Sequence, residues 1–145
     1  MNRLPSELLP AALLISVITV GAILCMSCTA TWEIERYRPL MGYWRTEREV
    51  IISIHQTPDH GIAAIIKSSP GFLGEGMTPG TAIITDISPL SGGGFAGDFK
   101  MPGRQKPVRV TLALSTPVEL MIVTGDGRRR GGIMKWTRVI KKTGQ

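Results

Sequence analysis

The chain has 145 residues, a formal net charge of +6 and an aromatic content of 6%. That length suits one domain rather than several, and so few aromatic side chains exclude a stacking platform for single-stranded nucleic acid. The basic balance suits anionic surfaces such as phospholipid headgroups, and nucleic acid is not expected as a partner.

The amino end carries an uncharged run from Leu8 to Trp32, rich in Leu, Ile and Val, behind Arg3. A run of this length enters a bilayer, to be cleaved or to stay. Residues 1–27 are expected to be a signal peptide or membrane segment, 28–40 a tether, and 41–145 the folded domain. Three fates are open. Cys28 follows the small residue Ser27, which resembles the cleavage site of bacterial lipoproteins. The resemblance implies cutting before Cys28 and lipidation of its thiol. Alternatively the run stays as a transmembrane helix. The arginines that follow it, Arg36, Arg38, Arg45 and Arg48, would then favour a cytoplasmic domain. The third fate is an ordinary cleaved signal. Both cysteines, Cys25 and Cys28, lie within the run, so no disulfide framework is expected. The leading expectation is a lipid-tethered protein of the bacterial cell envelope, facing the periplasm.

Beyond the run, 29–40 reads as a polar spacer, a short helical turn or an extended tether, ended by Pro39. Val50 to His55 reads as a strand with Val50, Ile52 and Ile54 on one face, and Ile62 to Lys67 as the next, joined by the turn 57–61. Ser68 to Gly80 is a long loop holding Phe72, Leu73 and Met77, apolar residues that suggest a lid or a partner contact. Strands follow over Thr81–Ile87 and Phe95–Met101, with three successive glycines between them. The clearest alternation is Val108, Val110, Leu112 and Leu114 against Arg109, Thr111, Ala113 and Ser115. Val118–Thr124 and Gly132–Ile140 complete the set, joined through the turn Gly125-Asp126-Gly127. Seven or eight short strands with short connections predict an all-β fold, a small antiparallel meander barrel.

Gly42-Tyr43-Trp44 opens the first strand and Trp136-Thr137-Arg138 lies in the last. This pattern resembles the lipocalins and their calycin relatives, which begin with Gly-x-Trp and carry an arginine on the final strand. The chain is also similar to small bacterial envelope proteins of that kind. The resemblance implies that Trp44 plugs the closed end of the barrel and that Arg138 packs over its face. It also implies an interior that binds an apolar small molecule or lipid, with Trp44, Phe72, Phe99 and Arg138 as candidate contacts. An interior packed solid by Val110, Leu112, Phe99 and Ile122 would instead indicate a structural or assembly subunit of an envelope complex.

Catalytic signals are sparse. No nucleophile elbow or phosphate loop in a strand–helix setting is present. His55 and His60 lack further ligands at metal spacing, and neither metal nor cofactor is expected. Glu75, Asp86, Asp98 and Glu119 are scattered acids that need convergence to act as an acid–base pair. The leading expectation is therefore a non-catalytic protein. Arg128-Arg129-Arg130 follows a turn and is the candidate contact for lipid phosphates or an acidic partner. Membrane-extracted protein is expected to have the intact mass of a chain beginning at Cys28 plus lipid; the unmodified mass of Met1–Gln145 would show that the leader is retained.

Overall fold

Alternating side chains with β-branched residues on one face form a pleated sheet that buries that face. The computed structural model describes residues 33–125 and 132–140. Residues 33–37 form one short helical segment and 38–40 a turn. Eight strands follow: β1 Gly42–Thr46, β2 Ile51–Thr57, β3 Gly61–Ser68, β4 Ala82–Pro89, β5 Phe95–Phe99, β6 Val108–Thr116, β7 Glu119–Thr124 and β8 Ile133–Arg138. Each pairs antiparallel with the next, and β8 returns to β1 to close the barrel. By backbone contacts the chain divides into two units, Met1–Arg36 and Tyr37–Gln145, the second of which contains the barrel.

The expected meander is present with all eight strands. Most strand boundaries differ from the sequence reading by one or two residues, and β5 ends at Phe99 rather than Met101. β8 ends at Arg138 rather than Ile140, although Val139 still donates its N–H to Tyr43 O at 2.9 Å. β4 runs on to Pro89 because a bulge between Thr85 and Ser88 inserts extra chain. Asp86 sits in that bulge at φ 52°, a conformation that short polar side chains tolerate better than branched ones.

Antiparallel pairing gives the barrel two distinct ends. One end carries the turns 58–60, 90–94 and 117–118 and receives the chain at Gly42. The other carries the connections 47–50, 69–81 and 100–107 and the strand ends at Thr124 and Ile133. The interior is one filled core: Leu40, Trp44, Ile52, Ile66, Ile84, Leu112, Leu120 and Ile122 are fully buried. Each such side chain contributes about 1.5–3 kcal/mol through burial. Filling is tight enough that β5 needs a glycine. A Cβ on Gly97 would lie 2.7 Å from Ile84 Cγ2 and 3.2 Å from Thr85 O. Among the described residues no buried side-chain nitrogen or oxygen lacks a hydrogen-bond partner.

Gly97→Ala is expected to lower stability by about 1–3 kcal/mol through overpacking. The check is the urea midpoint, which should fall with an unchanged slope.

Candidate functional site

The two ends differ in chemistry, and the difference begins with β1 and β8. Trp44 pairs with Arg138 across the closing seam. The guanidinium lies 4.3 Å from the centroid of the Trp44 ring, a cation–π contact worth about 0.5–2 kcal/mol. Arg138 Nη1 donates to Met41 O at 2.8 Å and Nε to Pro117 O at 2.9 Å, and Nη2 donates to Pro39 O. The Trp44 indole donates from Nε1 to Leu40 O at 2.9 Å. Gly42 stands at φ +124°, and a Cβ there would approach Arg138 Nη1 to 3.1 Å. The glycine of Gly-x-Trp therefore supplies both a backbone conformation and room for the arginine. Tyr37 stacks on Phe95 at 5.6 Å between ring centroids, adding an apolar cover near the same end.

The opposite end is open. A cavity of about 390 Å³ enters the barrel there, within the roughly 300–1,000 Å³ span of small-molecule sites. Its walls are Ile52, Ile66, Ile83, Phe99, Met134 and Trp136, and Leu73, Met77 and Met101 reach over it from the connections. Charged side chains occur at its rim: Glu47, Arg48 and Lys135. The loop 69–81 is held against the neighbouring connection, since Gly74 at φ +122° packs so closely on Pro102 that a Cβ would come within 2.8 Å.

The four side chains expected to contact a ligand separate between these ends. Phe99 lines the cavity. Trp44 and Arg138 do not: they form the closed end, where Leu40 and the backbone carbonyls occupy their surfaces. Phe72 does not line the cavity either. It is 89% exposed, because the loop turns the adjacent Leu73 inward and leaves Phe72 facing water. The remaining expected residues, Cys28 and Arg128, Arg129 and Arg130, lie outside the described residues. The connection that bears the three arginines starts from Thr124 and returns at Gly132, which are joined by a backbone hydrogen bond of 3.0 Å at the open end.

Sequence reasoning missed Ile66, Met134 and Trp136 as cavity wall. The signal was present in the alternation Met134, Trp136, Arg138 on β8, which places all three on the inner face. The acids do not converge. Asp98 pairs with Arg109 at 3.0 Å, Glu119 accepts from Ser115 Oγ at 2.7 Å, Asp86 lies in the β4 bulge, and Glu75 lies in the 69–81 loop. His55 is on β2, with Nδ1 2.9 Å from Ser53 Oγ, and His60 occupies the turn beyond. Among the described residues no group of three His, Cys, Asp or Glu is placed to hold a metal, and no helix is long and apolar enough to cross a membrane. The chain matches no family model, no curated protein and no solved structure.

Arg138→Met removes hydrogen bonds to three carbonyls and is expected to cost about 2–4 kcal/mol. Arg138→Lys should recover part of that loss, because an ammonium keeps the charge without the planar fork. Thermal unfolding of both variants measures the difference.

Proposed function

We propose that this chain is a non-catalytic, membrane-tethered envelope protein of lipocalin-like type, whose barrel takes up an apolar or amphiphilic small molecule through its open end. The cavity carries this reading. A barrel serving only as a rigid assembly part gains by filling its interior, since an unfilled apolar cavity forgoes dispersion contacts and stability. Here Val110, Leu112, Phe99 and Ile122 are all buried in one core, and a cavity of about 390 Å³ remains between that core and the connections over the open end.

The lining suits a flexible apolar chain. Met77, Met101 and Met134 are unbranched and polarizable, and adapt to more than one shape. Charged groups stand only at the rim, so a ligand's apolar part enters and any polar end stays outside. Lipidation at Cys28 supplies the tether in this reading and holds the protein beside a source of such molecules.

A photoactivatable diazirine derivative of a long-chain alcohol, added to the full chain in membranes, is expected to label Met77, Met101, Met134 and Trp136. Met134→Trp fills the cavity mouth and should reduce that labelling at least about tenfold, a loss of about 1.4 kcal/mol in binding. Labelling confined to the outer surface, or unchanged in Met134→Trp, refutes the proposal.

A further inference from the structure

The two ends of the barrel differ in charge as well as in the presence of the cavity. The turns 58–60, 90–94 and 117–118 at the closed end contain Asp59 and His60 but neither lysine nor arginine, and the basic residues at that end are Arg38 of the incoming turn and Arg138, which is taken up by carbonyls and Trp44. The open end bears Arg48, Lys67, Lys100, Arg104, Lys106 and Lys135, all exposed. None of the six takes part in an ion pair among the described residues. The acids nearby are fewer: Glu47, Glu49 and Glu75, and Glu49 already faces Arg45 at 3.7 Å. The excess of positive charge at this end is therefore uncompensated by the fold.

The same end exposes apolar side chains. Phe72 is 89% exposed on the glycine-rich stretch 71–76, and Ile133 is 60% exposed beside the cavity. The closed-end turns expose Leu90 and Val118 to 41% each, and Ile140 beyond β8 is 69% exposed there; what sets the open end apart is an aromatic ring at a loop tip with cations around it. Lys100 comes close to the Phe72 loop, with its Nζ 3.7 Å from where a Cβ on Gly76 would stand. An aromatic ring at a loop tip, with ammonium groups around it, matches the depth profile of a bilayer interface: the ring enters at headgroup level and the cations meet phosphates. A polyanion such as nucleic acid satisfies the cations and leaves the Phe72 ring without a role.

We propose that the open end is a docking face for an anionic bilayer, with Phe72 entering the interface and Lys67, Lys100, Arg104 and Lys106 facing lipid phosphates. Seated this way, the cavity mouth opens onto lipid. The docking face stands on charge and exposure and does not require the cavity to be occupied, so vesicle binding and ligand labelling fail independently.

The test places the full chain in nanodiscs of neutral phosphatidylcholine and adds vesicles containing phosphatidylglycerol, with amide hydrogen exchange as the readout. Exchange is expected to slow in 69–76 and 100–107 while 58–60, 90–94 and 117–118 stay unchanged. Protection should disappear at high salt and be absent with neutral vesicles. Lys100→Gln and Lys106→Gln should each weaken vesicle binding about fivefold, and Phe72→Ser should weaken it at constant charge. All three side chains are exposed, and circular dichroism verifies that the variants fold. Equal protection by neutral vesicles, protection at the closed-end turns, or no response to the three substitutions overturns the proposal. Equal protection of 69–76 by soluble polyglutamate also overturns it, in favour of an acidic macromolecule.

Discussion

Closing a sheet into a barrel requires the last strand to find the first, and here that seam is short. β1 and β8 share three residue pairs, whereas β2 and β3 share seven. Arg138 makes up for the short ladder. Its guanidinium joins the incoming turn at Pro39 and Met41, the β6–β7 turn at Pro117 and the face of Trp44. One side chain thus ties three remote pieces of chain into one lid. Arginine suits this place because its charge is delocalised and weakly hydrated, so the guanidinium lies against an indole while its N–H groups reach carbonyls in several directions.

Sealing one end in this way settles where a site is able to form. With Leu40, Trp44 and Arg138 occupying the closed end, the cavity forms at the other. Ile52, Ile66, Phe99 and Trp136 are buried members of the common core that also border it, and Met134 stands half-buried beside them. Deeper in the wall there is no spare room: at β5 the chain is pressed so close to Ile84 that no Cβ fits on Gly97.

Much of the architecture was legible in the residues. Alternation on β2 and β6, and the turn residues between runs, led to an antiparallel meander of seven or eight strands. The pairing of Trp44 with Arg138 was also anticipated, from Gly-x-Trp and the arginine of the last strand. What misled was the inference from that contact to a ligand site, since Trp44 is sealed beneath its own partners. Phe72 misled for a different reason. Loop side chains lack a strand's period, and nothing in Gly71-Phe72-Leu73-Gly74 says which of two neighbouring apolar residues turns inward.

The sequence by itself determined the strand order and the inward and outward faces, because these follow from period-two geometry and from local turn chemistry that each segment carries within itself; the partner of Trp44 was implied by the resemblance of Gly-x-Trp and Arg138 to the lipocalin pattern. Only the tertiary structure decided that a cavity of about 390 Å³ opens at one end of the barrel and not the other, that Leu73 rather than Phe72 covers the opening, and that cations without ion-pair partners among the described residues gather around it. Free volume and surface charge at a barrel end are sums over side chains from many separate segments, and those sums exist only once the strands have closed.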